Sequence, residues 1–342
     1  MPSVAPHHRL VVAPMMKRTF PAYRHLLRRV TRHTLLVTEM ISVRALHHGE
    51  RDLLLPVAED GPVAAQLGGV DHALLVEAAR FAEAQGYAEV DINCGCPSDR
   101  ATDADVGACL MREPERVAAA VAVVAAAVDV PVTVKCRIGV VDRPLEDWEA
   151  HEASVDDVAG LEHFAGLVTD AGAARVAVHA RVAVLEGLDP RQNRQVPPLR
   201  HDDVHALARR RDDVVWQCNG GVRDLDEVLR HLEHVDGVLV GRAAWDDPMH
   251  LAEADRRVFG DTTAPVPDAA DVVADGVASL AAGNGGVLDL RWVESLAGFW
   301  HGRPGARQWR HGLAQLRAGA GAGVAPAEVL SLLDDVAGRV PA

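Results

Sequence analysis

The sequence has almost no lysine: Lys17 and Lys135 are the only two among 35 basic residues, so arginine serves nearly everywhere a cation is needed. A lysine that persists in such a chain is suspect. Its compact ammonium on a flexible stem fits tight sites that a planar guanidinium cannot enter. The five cysteines, Cys94, Cys96, Cys109, Cys136 and Cys218, include no CxxC pair. That argues against both a disulfide framework and a structural zinc site. The CxC of Cys94 and Cys96 lacks nearby partner ligands, so no metal is expected, and a reducing cytoplasm is the setting this usage fits. Long apolar runs are also missing. The longest stretch without a polar residue is Val117–Val128, 12 residues, where a bilayer-spanning helix needs about 20, so no membrane association is expected. The opening MPSVAPHHRL lacks the apolar core and small-residue cleavage site of an export signal. Net charge is −14, which argues against coating nucleic acid by bulk charge but leaves room for a local basic surface.

With 342 residues, 49% of them hydrophobic and 25% charged, the chain has the composition of a globular protein with one large domain, or one large and one small. Eight short β-rich runs recur: Leu10–Met15, Leu35–Met40, Val63–Gly68, Glu89–Asn93, Val132–Arg137, Arg175–Ala180, Val214–Asn219 and Gly237–Gly241. Amphipathic or Ala-rich helical stretches separate them, at Ala73–Gln85, Pro114–Val128, Val155–Ala171, Val204–Arg210 and Leu225–His234. Alternation of this kind implies parallel strands joined by right-handed crossovers. Eight units predict an α/β fold, a (β/α)8 TIM barrel. A doubly wound open sheet is the rival, but it calls for a glycine-rich turn after the first strand, where this chain has Ala13-Pro14-Met15. After Asp247-Pro248 no strand signal follows. Residues 261–268 read as a linker, and helices are expected at Ala269–Ala282, Asp289–Trp300, Gly305–Arg317 and Ala327–Gly338, with a hinge at Ala318–Gly323. The expected division is a catalytic barrel over 1–255 and a small helical bundle with a carboxyl-terminal extension over 256–342.

Active sites of such barrels lie at the carboxyl ends of the strands. There the sequence places Glu39, Gln66, Asn93, Lys135 with Arg137, His179 with Arg181, Asn219-Gly220-Gly221 and Gly241-Arg242. The last two turns are the usual phosphate site of the fold, because glycines let backbone N–H groups approach an anion. Lys135 suits an anionic ring such as a flavin, which gains negative charge at N1–C2=O on reduction. Gln66 can both donate to and accept from the pyrimidine edge of that ring, and His179 can meet its phosphate or ring oxygens. Cys96, on the loop after the fourth strand, can donate a proton. Cys94, next to Asn93 in the strand alternation, points away. Cys109, Cys136 and Cys218 read as buried small hydrophobes. In the helical region, arginines 291, 303, 307, 310 and 317 face one acid, Glu294, and Arg307 and Arg310 share a helix face.

Taken together, APM (13–15), TEM (38–40), QLGG (66–69), NCGCPSDR (93–100), GACLM (107–111), VKCRIG (134–139), HAR (179–181), NGG (219–221) and VGRAAW (240–245) resemble the tRNA-dihydrouridine synthases. HARVAVLEGLDPRQNRQVPPL (179–199) and GRPGARQWR (302–310) resemble the bacterial A-type subfamily. The resemblance spans about 300 residues and leaves the last ~25 unassigned. It implies FMN in the barrel, NADPH as reductant, and a flipped uridine of the tRNA D-loop, at position 20 or 20a, as substrate. Hydride would pass from flavin N5 to uracil C6, and Cys96 would protonate C5. It assigns FMN contacts to Pro14, Met15, Met16, Gln66, Lys135, His179, Asn219, Gly220, Gly221, Gly241 and Arg242. It assigns tRNA contacts to Asn93, Arg181 and Arg194, and Arg307 and Arg310 become phosphate contacts. A monomer is expected. The chain departs from the subfamily at Val182 and Val184, where Lys and Trp are usual, at Cys94 for Val, at Trp245 for Tyr, and in the first loop, MMKRTF. A small-molecule FMN barrel is one alternative, though it has no use for the Arg-rich carboxyl-terminal bundle. An RNA-binding chaperone without flavin is another.

Overall fold

The structure, a computed structural model, describes residues 6–54, 61–98, 106–144, 157–321 and 323–338. Eight strands form its centre: β1 (Leu10–Val12), β2 (Leu35–Val37), β3 (Val63–Gly68), β4 (Glu89–Cys94), β5 (Val132–Arg137), β6 (Val176–His179), β7 (Trp216–Asn219) and β8 (Gly237–Val240). All pairings between them are parallel, and successive strands are neighbours. β1 also pairs with β8 in the register Leu10↔Val238 and Val12↔Val240. The sheet is therefore a closed (β/α)8 barrel, and the open-sheet alternative falls. Among the described residues a helix follows each strand: α1 (Pro21–Val30), α2 (Val43–His47), α3 (His72–Ala84), α4 (Pro114–Ala125), α5 (Asp157–Asp170), α6 (His201–Arg210), α7 (Leu225–His231) and α8 (Arg242–Asp246), the last followed by a four-residue helix at Ala254–Arg257.

Local chemistry sets the boundaries. Asp71 caps α3 by accepting from Leu74 N at 3.0 Å, and Pro114 opens α4 where its missing N–H costs nothing. β1 ends at Val12, earlier than the apolar run suggests, because Pro14 cannot donate to a ladder. Residues 155 and 156, expected to begin α5, lie outside the described residues. α1 is not among the expected helices. Its segment PAYRHLLRRV carries three arginines and a histidine, which obscure a buried stripe of Tyr23, Leu26, Leu27 and Val30 at helical spacing.

Outward-facing strand residues, among them Val90, Ile92, Cys94, Val134, Cys136, Val178, Trp216 and Cys218, are buried against the helices in one continuous core. That core runs on into four further helices, α9 (Ala269–Gly283), α10 (Leu290–Ser295), α11 (Ala306–Gly319) and α12 (Pro326–Ala337). α9 lies directly on α1: a Cβ on Gly276 would come within 2.2 Å of Leu26 Cδ2, so only glycine admits this approach. His25 Nε2 meets Ser279 Oγ at 2.9 Å across the same contact. The expected hinge at Ala318–Gly323 is shorter than predicted. α11 runs to Gly319, and Val324 is pinned to Leu288 by two 2.9 Å backbone hydrogen bonds.

The lumen is closed at the amino ends of the strands by a buried ion pair. Both Nη atoms of Arg175 donate to the Glu89 carboxylate, Arg175 Nε donates to Gln217 Oε1 at 2.9 Å, and Gln217 Nε2 donates to the His8 carbonyl at 2.7 Å. Glu89 is fully buried and Arg175 is 4% exposed. Against the cost of that burial, Arg175 and His8 hold the Glu89 carboxyl down at about 2, from an ordinary 4.5. Because the folded value lies below the unfolded one, the pair's contribution is full above about pH 4.5 and is lost as pH falls through about 2. Glu89→Gln strands a buried guanidinium, and urea unfolding at pH 7 should show a loss of about 3–5 kcal/mol. Glu89→Gln/Arg175→Met should recover part of that loss, and an unchanged midpoint in the single variant would remove the pair from its structural role.

Candidate active site

Residues of one parity along three adjacent strands are polar: Glu89, Asp91 and Asn93 on β4, Thr133, Lys135 and Arg137 on β5, and Arg175 and His179 at β6. Alternation sends such residues to one face, here the lumen, where they form tiers above the Glu89–Arg175 floor. In the middle tier Asp91 accepts from Gln66 Nε2 at 2.7 Å and from Thr133 Oγ1 at 2.8 Å. Burial pushes its carboxyl up to about 6 despite those bonds. The upper tier is cationic. Burial, with Arg137 beside it, pushes the Lys135 ammonium down to about 8. Burial likewise pushes the Arg137 guanidinium down to about 10. The His179 imidazole lies well below its ordinary value, through burial and the cations Arg137, Lys135, Arg181 and Arg194.

Lys135 makes no hydrogen bond or ion pair among the described residues, and His179 Nδ1 is buried without a partner. Two unsatisfied nitrogens at one barrel mouth mark a place built for an acceptor or an anion. Arg181, Arg194, Arg242 and Arg18 interact electrostatically around them, so the mouth is positive in a protein of net charge −14.

Cys96 stands over this mouth on a loop held from three directions. Asn93 Oδ1 accepts from Gly95 N at 3.2 Å and from Cys96 N at 3.0 Å. Arg137 Nε donates to the Gly95 carbonyl at 3.0 Å. Ala108 N donates to the Cys96 carbonyl at 2.9 Å. Gly107 makes the third contact possible: it has φ +83°, and a Cβ there would sit 2.3 Å from the Cys96 carbonyl oxygen. The neighbouring loop is hung on Asn193, fully buried, whose amide bonds Val184 N and O at 2.8 and 2.9 Å. Arg137 Nη1 reaches the Asn193 carbonyl at 3.3 Å, tying the two loops together.

The expected site residues divide into those at the mouth and those beneath it. Met16 is 56% exposed, with Pro14 and Met15 half-buried beside it. Asn219 is buried and donates to the Leu239 carbonyl at 2.9 Å. Gly220 and Gly221 take φ of +118° and +75° and pack on Leu199, which a Cβ at either position would strike at 2.9 and 2.6 Å. The start of α7 is capped by Asp224, which accepts from Glu227 N at 2.8 Å. Gly241 opens α8 with no side-chain cap, and Arg242 is exposed. Gln66 and Asn93 are buried and face each other, Asn93 Nδ2 donating to Gln66 Oε1 at 2.8 Å. Asn93, expected to meet RNA, also holds the Cys96 loop. Arg181 donates to the Pro197 carbonyl. Val182 and Val184 are buried. Asp99 and Arg100 of the cysteine loop lie outside the described residues.

Charge at the helical region is less free than its composition suggests. Arg291 pairs with Glu39 at 3.7 Å, Arg303 with Asp268 at 3.7 Å and Arg317 with Glu294 at 2.8 Å. Arg307 and Arg310, exposed on α11, make no ion pair among the described residues. Asp91, Asn193 and Arg18 were not among the expected site residues. The Glu-x-Asp-x-Asn alternation in a strand bounded by apolar runs was a readable sign for Asp91; Asn193 and Arg18 had no local one.

A family profile described as dihydrouridine synthase (Dus) matches residues 11–331. A tRNA-dihydrouridine(20/20a) synthase of Synechocystis sp. is 45% identical over 265 residues, covering 77% of this chain and 75% of that one. One from Salmonella typhi is 40% identical over 336 residues, covering 97% of each. Among solved structures, a crystal structure of TcOYE with pHBA aligns with TM-score 0.49 at 13% identity, covering 73% of this chain and 89% of that one. So remote a likeness bears on neither ligand nor chemistry.

Gly107→Ala should shift the cysteine loop, since both the clash and the positive φ oppose a side chain. A stability loss of about 1–3 kcal/mol is expected in urea, together with a changed rate of Cys96 alkylation by iodoacetamide in the folded protein. Wild-type values for both would mean that the loop does not depend on this contact.

Proposed function

The chain belongs to the dihydrouridine synthase family, and from that premise we propose that it reduces uridine to 5,6-dihydrouridine in the tRNA D-loop, at position 20 or 20a, with FMN in the barrel mouth and NADPH as reductant. The observation that carries this reading is the meeting, at one barrel mouth, of an unpartnered ammonium, an unpartnered buried imidazole nitrogen and a tethered thiol. These residues fit a flavin mononucleotide. Lys135 matches the ring edge that becomes anionic, and neutral His179 offers Nδ1 to ring or phosphate oxygens. Its phosphate would be held by the glycine backbone of residues 220 and 221, by Gly241 and by Arg242. Pro14–Met16 would border the ring, while Gln66, its amide already bonded to Asp91 and Asn93, has one N–H left to offer. When bound, the flavin supplies hydride to uracil C6, with NADPH as the source of electrons.

The protein's own part is to hold and move a proton. As the C5=C6 double bond is lost, the S–H bond of Cys96 breaks and its proton goes to C5. Lys135, Arg137 and Arg194, which all interact electrostatically with Cys96, face the charge left on sulfur. Solvent then restores the thiol. Asn93 and Arg137 act as positioning residues by fixing the loop backbone on either side of Cys96. A uridine inside folded tRNA must be unstacked before it enters such a mouth. Arg181 and Arg194 border the entrance, and Arg307 and Arg310 supply phosphate contacts that orient the RNA without reading its sequence.

Cys96→Ala should keep FMN binding and NADPH oxidation while slowing dihydrouridine formation in tRNA by about 10²- to 10⁴-fold; normal turnover would move the proton donor elsewhere. Lys135 is charged below about pH 8 in the free protein. FMN affinity should therefore fall as pH rises past that value, and Lys135→Met should bind more weakly with that dependence gone. A pH profile shared by both proteins would detach Lys135 from the flavin. Arg307→Glu/Arg310→Glu should weaken tRNA binding and flatten its salt dependence by about one unit of slope per lost phosphate contact, leaving bound FMN unchanged. An unaltered salt slope would take α11 out of the RNA surface.

A further inference from the structure

Behind the seventh strand, on the side away from the mouth, lies a group of side chains that the proposed reaction does not use. His205 of α6 is 8% exposed, Cys218 of β7 is fully buried, and His231, the last residue of α7, is half-buried. One ligand atom from each lies within 4.8 Å of the others. His205 Nε2 and His231 Nδ1 are 3.0 Å apart. Two more imidazoles crowd the pair: the His201 ring lies 4.6 Å from that of His231, and the His234 ring stacks on His205 at 4.6 Å.

We propose that His205, Cys218 and His231 form a site for one zinc-class divalent ion, with water as the fourth ligand. Two nitrogens and one sulfur make a borderline-soft donor set, which suits zinc or cobalt better than magnesium or calcium. Zinc–nitrogen bonds of about 2.0–2.1 Å in a tetrahedron separate two nitrogens by about 3.3 Å, close to the observed 3.0 Å. Asp202 Oδ1 stands 4.0 Å from His205 Nδ1, beyond hydrogen-bond distance, on the side of the ring away from His231. Binding forms one metal–sulfur and two metal–nitrogen bonds. It releases the thiol proton to solvent and moves the proton shared by the two rings to an outer nitrogen. No electron is transferred. The three ligands come from three separate elements, so no short spacing in the sequence announces them. The ion would join β7 to α6 and α7 directly beneath the Gly220 turn, whose carbonyl is 2.7 Å from His201 Nε2.

Cobalt(II) is the probe, added to the full-length, chelator-treated protein. One equivalent should bind, with the strong visible bands of four-coordinate cobalt and a near-ultraviolet thiolate-to-cobalt charge-transfer band. Cys218→Ser should lose the charge-transfer band. His231→Gln, which changes a half-exposed side chain and keeps a hydrogen-bonding amide, should bind at least about tenfold more weakly, in line with the loss of one ligand. In wild type alone, zinc should raise the thermal midpoint. Failure of the wild-type protein to bind one equivalent overturns the site. So does a charge-transfer band that survives Cys218→Ser, or undiminished affinity in His231→Gln.

Discussion

Charge inside the barrel has to be layered, and the layering rests on the Glu89–Arg175 pair. A lumen lined by Asp91, Lys135, Arg137 and His179 cannot be packed like the apolar interior usual for this fold. It holds together because carboxylates lie deep and cations lie at the open end. Arg175 neutralises the deepest acid, and Gln217 accepts from Arg175 and donates to the His8 carbonyl, which closes the floor. Asp91 sits one tier higher with two donors. Above it the cations are left with fewer partners. The same arrangement that makes the interior foldable thus leaves the mouth short of acceptors, which is the condition an anionic ligand satisfies.

The Cys96 loop depends on that interior for its shape. Asn93 is anchored below by Gln66 and holds Gly95 and Cys96 from above. Arg137 joins the same loop to the segment organised by Asn193. A change at Asp91 can therefore reach Cys96 through Gln66 and Asn93, without touching the thiol. The helical region is coupled to the mouth more lightly. Glu39 receives the Lys17 backbone N–H from the first loop and pairs with Arg291 at the start of α10, while Arg291 also lies over Phe20 at 4.6 Å. This contact holds Lys17 at φ +62°, a left-handed conformation uncommon for a side-chain-bearing residue.

Departures from the subfamily pattern fall mostly inside the molecule. Val182 and Val184 are buried, and Val184 is held by the Asn193 amide. Cys94 faces the helix layer, in the core cluster that also contains Cys136. Trp245 packs against Tyr23 at 4.8 Å, with Arg18 above its ring at 5.3 Å. These substitutions change packing around the site more than the groups that line it.

The strand periodicity, the eight repeats and the residues at the strand ends were legible in the sequence, because alternation and turn chemistry are local properties carried by neighbouring residues. So was the lone lysine of the mouth, since its rarity is a matter of composition. α1 was hidden by its arginines, which are buried or half-buried because backbone carbonyls meet them, most of them nearby in sequence and one, Pro62 for Arg28, distant. The pairing of Glu89 with Arg175 spans 86 positions, and the neutralisation of Arg291, Arg303 and Arg317 depends on acids on other elements. The histidines beside Cys218 likewise meet only when two helices pack against β7. Contacts of this kind exist only after the barrel closes, since closure, and not chain proximity, decides which charges become neighbours.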